Sequence, residues 1–268
     1  MTLAEIAEAF PETGQTMPVV FVGHGNPMNA VEDNVYSRAW VEAGKALPRP
    51  RAILSISAHW QTKGSRVTAM ERPRTLYTFD GLPEELSRVR YPAPGSPQLA
   101  ALVQQTLKSG EVRPDRKWGL DHGTWAVLRR LFPESDIPVV QLSLDRTQGA
   151  EHHYALAGEL LALRKKGIFI LGSGNVVHNL YRLVWQDIAF DWAAEFDETV
   201  KRLILSGDHD TLIHYETLGG KAPLAIPTNE HFLPLLCTLS LRQKGEPLSF
   251  FAEGVTLGTI SMRAFRIG

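Results

Sequence analysis

The chain has 268 residues, of which 44% are hydrophobic and 21% charged, the balance of an ordinary globular protein. Its 28 basic and 29 acidic residues give a formal charge of −1, so no basic surplus indicates a nucleic-acid partner. The one cysteine, Cys237, excludes an internal disulfide and a cysteine-based metal site. With no apolar run long enough to span a membrane and no signal-peptide pattern, we expect a cytoplasmic protein without membrane or nucleic-acid partners.

Apolar segments of two kinds alternate along the chain. Short apolar runs predict buried strands, and longer segments with helical apolar spacing predict helices. The predicted strands are Pro18–Gly23, Arg51–Ala58, Arg66–Met70, Ile137–Leu144, Gly167–Gly172, Leu248–Ala252 and Gly258–Arg266. The predicted helices are Met1–Phe10, Tyr36–Leu47, Pro97–Ser109, His122–Phe132, Gly149–Lys166, Trp192–Ser206 and Glu230–Leu241. Ser96 and Asp121 are the expected N-caps of two of these helices, and the proline-rich stretch 71–97 is expected to be rich in loops and not regular throughout.

This alternation predicts the α/β class. We expect a single domain with a central, largely parallel sheet that is mixed at one edge and flanked by helices on both faces. The last two predicted strands are the candidates for antiparallel pairing. Because neither a linker nor an internal repeat is evident, residues 1–268 are expected to form one domain with 1–16 as an N-terminal extension.

Histidines follow several of the apolar runs. His24 lies between two glycines after the first strand, His59 ends the second, and His178 follows a glycine-rich turn after a later strand. A fourth, His231, lies in the first turn of the last predicted helix. Ligands of open α/β sheets bind beyond the carboxyl ends of the strands, and imidazole is the commonest nitrogen ligand for metals. Together these histidines predict a metal site, although each one alone is equally typical of a structural histidine.

Other residues leave alternatives open. Glu230 and His231 are adjacent in a predicted first helical turn and would project in different directions, so only one of them is expected to bind a metal. His122, after Asp121, fits a helix-start histidine at least as well as a functional one. His178 and Asn179 are expected to point into the site. The remaining histidines, expected to be surface or packing residues, are His152, His153, His209 and His214.

Rival chemistries have weak support. The glycine-rich turn before His178 fails the dinucleotide pattern because position 177 is valine, and no esterase elbow, zinc-protease helix or P-loop is present. A serine hydrolase would have to use Ser57 or Ser173, neither of which has an elbow context. A zinc hydrolase built on the same histidines is the second hypothesis. A structural zinc protein is the third, and it fits less well because structural zinc sites are usually rich in cysteine.

Six motifs, taken together, resemble the class III extradiol ring-cleavage dioxygenases of the 4,5-DOPA dioxygenase extradiol type. The resemblance runs from about Pro18 to the end of the chain. The motifs are Gly23–Asn29, Ser57–Trp60, Tyr91–Gly95, Asp121–Trp125, Gly174–Asn179 and Thr228–Pro234.

The resemblance implies a catalytic domain that uses a non-haem metal and O2 to cleave a DOPA-like catechol to a muconic semialdehyde. It implies Fe(II) for turnover and Zn²⁺ in purified protein. The implied metal ligands are His24, His59 and His231, with Glu230 as the alternative to His231 and His178 as a candidate fourth ligand. The implied acid/base residues are His178 and His122. Three aromatic residues beside the motif histidines are candidates for the pocket wall or equally for the core: Trp60, Trp125 and Phe232.

Overall fold

A computed structural model describes residues 5, 8–79, 81 and 83–268. The strands within these residues are β1 Val19–Gly23, β2 Ala52–Thr62, β3 Ser65–Thr68, β4 Arg74–Thr75, β5 Val112–Asp115, β6 Gly119–Leu120, β7 Val139–Asp145, β8 Ile168–Gly174, β9 Leu248–Ala252, β10 Val255–Thr256, β11 Ile260–Ser261 and β12 Ala264–Ile267. The α-helices are α1 Val35–Ala46, α2 Glu84–Arg88, α3 Pro97–Thr106, α4 His122–Leu131, α5 Ala150–Gly158, α6 Asp191–Ser206, α7 His209–Ile213, α8 Ala222–Ala225 and α9 Leu233–Leu239.

The central sheet has eight strands in the order β5-β3-β7-β2-β8-β1-β12-β9. Its middle, β7-β2-β8-β1, is parallel throughout, whereas β12 and β9 add to the β1 edge in antiparallel fashion. The fold is therefore the predicted single α/β domain with a largely parallel sheet that is mixed at the edge. Because β2, β8 and β1 are neighbours and parallel, the loops that follow them meet at one edge of the sheet.

Alternation along the central strands gives the sheet two buried faces. Val19 and Phe21 of β1 belong to one apolar core, while Val20 and Val22 belong to the other. Helices α3, α5, α6 and α9 contribute to the first core, and α1 and α4 contribute to the second. Side chains of successive strand residues point to opposite faces, so strands covered on both faces are apolar at nearly every position.

Two predicted helices have shorter α-helical segments in the structure. The helix predicted at 149–166 is α-helical only in α5 and continues as a 3-10 helix over Glu159–Lys166. The prediction of a helix over 230–241 was wrong at its start, because α9 begins at Leu233 with Phe232 as a cap that makes no side-chain bond. Glu230 and His231 therefore lie in a turn before the helix, not in its first turn.

The proline-rich stretch is not loop throughout, because it contains β4 and α2. Neither element had a periodic signal, since each is five residues or shorter. The N-caps were predicted correctly: Ser96 accepts a hydrogen bond from the Leu99 amide and Asp121 accepts one from the Thr124 amide. Most of the helix predicted at 1–10 lies outside the described residues. Among the residues that the structure does describe, no helix has the length and apolar character needed to cross a bilayer.

Candidate metal centre

A cavity of about 700 Å³ opens at the edge of the sheet where β1, β2 and β8 end. All six residues proposed from the sequence as ligands or acid/base groups line it: His24, His59, His122, His178, Glu230 and His231. The five histidines of this set are called the histidine cluster below. They come from five separate segments of the chain, so the fold itself creates the cluster.

Strand ends deliver the first two histidines in different ways. His24 directly follows β1, and its backbone amide donates to the Gly174 carbonyl at the end of β8. His59 lies inside β2, which continues to Thr62, so the prediction that the strand ends before it was wrong. The pairing of β2 with β7 is interrupted between Ile56 and Gln61. This bulge takes His59 out of the regular ladder and directs its side chain into the cavity.

Glycine makes room for the close approach of the segment that carries His231. A Cβ added at Gly174 would lie 2.1 Å from the His231 carbonyl oxygen, so no other residue fits there without movement of the backbone. The Asn175 amide donates to that same carbonyl at 2.8 Å. Gly174 therefore lets the backbone pass close beside the site.

Hydrogen bonds fix the ring orientation of His24 and His231. The Ser173 hydroxyl donates its hydrogen to the Gly123 carbonyl at 2.6 Å, so it accepts from His24 Nδ1 at 3.0 Å. His231 Nδ1 donates to the Glu230 carboxylate at 3.0 Å. In each ring the hydrogen therefore sits on Nδ1, and Nε2 carries the free lone pair.

The free lone pairs meet in the cavity. His24 Nε2 and His59 Nε2 are 3.0 Å apart. His231 Nε2 is buried and has no hydrogen-bond partner, an unusual state for a buried polar atom. The ring centroids of His24, His59 and His231 lie within 4.8 to 5.3 Å of one another. Such a group of neighbouring neutral imidazoles is suited to a cation.

His178 and His122 flank this group on different sides. The His178 ring stacks on that of His231 with centroids 3.4 Å apart and an interplanar angle of 7°. The His122 ring lies 3.8 Å from that of His59, and its Nδ1 is 2.6 Å from the Thr78 hydroxyl. Two groups of three residues have potential metal-binding atoms that all lie within 4.8 Å of one another. One group is His24, His59 and His122, and the other is His178, Glu230 and His231.

The buried carboxylate of Asp121 supports the site through hydrogen bonds. Asp121 accepts hydrogen bonds from the Ser57 hydroxyl at 2.7 Å, the Gln141 side-chain amide at 2.7 Å and the Thr124 amide. These bonds anchor the start of α4, and hence His122, to β7 and to β2, the strand that carries His59. Both serines considered as hydrolase nucleophiles, Ser57 and Ser173, are committed to such structural bonds.

Burial keeps the histidine cluster neutral. It lowers the pKa values of His24, His122 and His231 well below the ordinary 6.5, and the neighbouring imidazoles lower them further. Burial also lowers the pKa of His59, and it lowers that of His178 to about 3. Neutral imidazole is the form that binds metals and accepts protons.

Of the two alternatives for the aromatic residues beside the motif histidines, the core is correct: Trp60, Trp125 and Phe232 are 3% exposed or less and belong to the packed interior. One expectation for the pocket was wrong. Asn179 does not point into the cavity: its side chain caps a 3-10 helix and donates to the Leu224 carbonyl. His153 is a buried packing residue, as expected.

The apolar wall of the cavity comes from residues that the sequence reasoning missed. They are Pro27, Phe79, Leu180, Leu183, Trp185, Leu257 and Ile260. Most of them lie in irregular segments, where periodicity carries no signal. One clue was available: the segment after His178 carries apolar and aromatic residues without strand or helix spacing.

Comparisons with known proteins agree with this site. Residues 17–252 match the family described as the catalytic LigB subunit of aromatic ring-opening dioxygenase. The chain is 44% identical to the 4,5-DOPA dioxygenase extradiol of Escherichia coli K12, over 94% of this chain and 95% of the relative. It is 38% identical to the protein of the same name from Beta vulgaris, over 80% and 83% of the two chains.

A solved structure has the same fold. The crystal structure of an Escherichia coli K12 protein described as uncharacterized matches with a TM-score of 0.83 and 42% identity, covering 94% of this chain and all of the other. The family match spans most of the chain and includes all five histidines of the histidine cluster. The chain therefore belongs to the LigB family of aromatic ring-opening dioxygenases and is an oxidoreductase of that class.

Proposed function

We propose that the protein is a non-haem, metal-dependent extradiol dioxygenase that uses O2 to cleave the ring of a DOPA-like catechol to a muconic semialdehyde. We assign His24, His59 and His231 as the metal ligands. The observation that carries this assignment is the convergence of three neutral rings, with His24 Nε2 only 3.0 Å from His59 Nε2 and His231 Nε2 buried without a partner.

The donor set fits a metal ion. Two imidazole nitrogens bound to one ion at about 2.1 Å lie roughly 3.0 Å apart when they subtend a right angle. The Nδ1 bonds of His24 to Ser173 and of His231 to Glu230 are the outer contacts that orient metal-binding histidines.

Glu230 is assigned to supporting His231 and not to replacing it as the third ligand. One oxygen of its carboxylate, Oε1, already accepts from both His231 Nδ1 and the Thr228 hydroxyl. A carboxylate held in this way strengthens the basicity of the imidazole that it contacts.

Imidazole suits both iron and zinc, so the donors alone do not select the metal. We propose Fe(II) for turnover and Zn²⁺ as the ion found in purified protein. Bound Fe(II) would supply redox chemistry and open positions for the catechol oxygens and dioxygen.

His178 is proposed as the base that takes a proton from a catechol hydroxyl. It is neutral at physiological pH because burial lowers its pKa to about 3, and it lines the cavity beside His231. A fourth-ligand role for His178 is the alternative. His122, oriented by Thr78 and located at the first residue of α4, is proposed to donate a hydrogen bond to an oxygen of the reacting substrate.

We also propose the partners of the protein, its location and the extent of its catalytic unit. The partners are a small aromatic diol and O2, with no nucleic acid or membrane, and the location is the cytoplasm. Residues 1–268 are proposed to act as one catalytic unit, with 1–16 as an extension.

The test is anaerobic loading of the protein with Fe(II), followed by air and a panel of catechols, with absorbance monitored for a yellow ring-fission product. His24→Ala and His59→Ala are expected to lose metal, while His178→Ala keeps metal and loses turnover. Metal loss in His178→Ala would make it a ligand. If no catechol is cleaved with iron, yet an ester or amide is hydrolysed with zinc, the hydrolase alternative replaces the dioxygenase proposal.

A further inference from the structure

We infer that the catechol preferred by this cavity carries an uncharged, apolar substituent in place of the charged amino-acid side chain of DOPA. This inference rests on the proposed function, because it takes the catechol ring as given and concerns only its substituent. It is carried by the charges and apolar surfaces that face the cavity.

No cation is available inside to pair with a substrate carboxylate. Of the described residues that line the cavity, none is lysine or arginine, and the masked positions 1–4, 6, 7, 80 and 82 include neither residue type. Glu230 is the acidic residue of the lining. A carboxylate that entered would lose water without gaining a lysine or arginine partner and would meet a like charge, and both effects disfavour its binding.

Two arginines beside lining segments do not supply the missing charge. Arg182 lies between the lining residues Leu180 and Leu183, but it is exposed to solvent and is not part of the lining. Arg90 is committed to the Tyr77 hydroxyl and to the carbonyls of Ser87 and Val89.

Apart from the histidines, the lining of the cavity is largely apolar. Phe79, Leu183 and Leu257 contribute to this surface, and at its mouth Leu180 and Trp185 are 62% and 73% exposed. A volume of about 700 Å³ is in the range that holds drug-sized ligands, which are larger than a bare catechol. An apolar substituent would fill this extra space and cover the exposed side chains.

Backbone hydrogen bonds hold the segments of the apolar wall together. Backbone hydrogen bonds join the segment after His178 to the turn between β10 and β11: the Val184 amide donates to the Leu257 carbonyl and the Phe190 amide to the Gly258 carbonyl. Leu257 has φ +52°, in the left-handed region that non-glycine residues rarely adopt. Such strain persists where surrounding bonds enforce it and clusters at ligand sites.

The experiment compares three catechols with the Fe(II)-loaded protein: catechol itself, propylcatechol and dihydrocaffeate. The last two have side chains of equal length that end in a methyl group or a carboxylate. We expect kcat/KM for propylcatechol to exceed that for dihydrocaffeate at least about tenfold, the cost of one unpaired polar group. Equilibrium dialysis against the Zn²⁺-loaded protein under nitrogen is expected to give the same order of affinities, independently of turnover.

Variants test the wall directly. Trp185→Ala is expected to lower the preference for propylcatechol over catechol about fivefold or more, because it removes the apolar surface at the mouth. Leu205→Ala is the matched control, since Leu205 is an apolar side chain that is 56% exposed on α6 and outside the cavity, and it should keep the wild-type preference.

Equal or better use of dihydrocaffeate would overturn the inference, most clearly if Arg182→Gln then removed that use. An unchanged preference in Trp185→Ala would overturn the role of the wall. The two proposals fail separately: if catechol itself is not cleaved, the proposed function fails, whereas cleavage of catechol with a preference for the carboxylate contradicts this inference alone.

Discussion

His153, in α5, and His231, in the histidine cluster, are both buried, and burial lowers the pKa of each. Their partners differ. Both ring nitrogens of His153 are used by the backbone, since Nε2 accepts from the Asp145 amide and Nδ1 donates to the Gly149 carbonyl. His231 Nε2 has no hydrogen-bond partner among the residues that the structure describes. A buried histidine with both nitrogens bonded stabilises the fold, whereas one with a free lone pair in a cavity is available to a ligand.

The largest expected effect comes from His231→Gln, which removes the free lone pair. We expect metal content to fall below half of the wild-type value and kcat/KM to drop at least about a thousandfold, because the metal supplies most of the catalytic driving force. Metal analysis and turnover after reloading with Fe(II) provide the readouts. Wild-type metal content in this variant would transfer the ligand role to Glu230.

His153→Leu is expected to lower stability and to leave turnover unchanged. Loss of the imidazole leaves the buried Asp145 amide, and also the Gly149 carbonyl, without a side-chain partner, so the free energy of unfolding should fall by about 2 kcal/mol. Urea unfolding measures this change, with His152→Leu as the neighbouring control. Turnover per folded molecule should stay at the wild-type level. A loss of turnover in folded His153→Leu would end the distinction between the two histidines.

Glu230→Gln is expected to weaken metal binding less than His231→Gln does. The amide keeps the shape of the side chain but removes the charge that supports His231 Nδ1, so metal affinity should weaken about tenfold to a hundredfold without being abolished. Competition against a chelator measures the affinity. Complete loss of metal would identify Glu230 itself as a ligand.

The smallest expected effect is on the pH dependence of the free energy of unfolding. Burial lowers the pKa of His153, so the unfolded chain takes up a proton below about 6.5 while the folded chain does not. The stability that this residue contributes is therefore complete above that pH and is lost as the pH falls. Between pH 6.5 and the folded pKa, His153→Leu should reduce the slope of unfolding free energy against pH by at most about 1.4 kcal/mol per unit. Equal slopes for the two proteins would show that His153 is protonated in the folded state.

Elements with a repeating pattern were predictable from the sequence. The four central strands and helices α1, α3, α4 and α6 follow apolar spacing and cap residues such as Ser96 and Asp121, so their positions were correct to within a few residues. Short elements such as α2 and β4 were missed because two to five residues do not establish a period. The bulge that carries His59 depends on pairing with β7, which is not local information.

The site was predictable in its residues and less so in its contacts. The glycines and strand ends around His24 and His178 indicated where imidazoles would gather, because parallel strands present their carboxyl ends at one edge. The partners Ser173 and Thr78, and the apolar wall at Leu183 and Trp185, come from segments distant in sequence or irregular in structure. Their arrangement arises only when the chain is folded.

The most direct measurement is the origin of the oxygen atoms in the product. The Fe(II)-loaded protein is supplied with catechol under ¹⁸O₂, and the ring-fission product is trapped by borohydride before its aldehyde exchanges with water. If the histidine cluster supports extradiol cleavage, mass spectrometry will find label from ¹⁸O₂ in the product, and no product will form under nitrogen. A product that forms without O2, or that carries oxygen from water alone, would contradict the account.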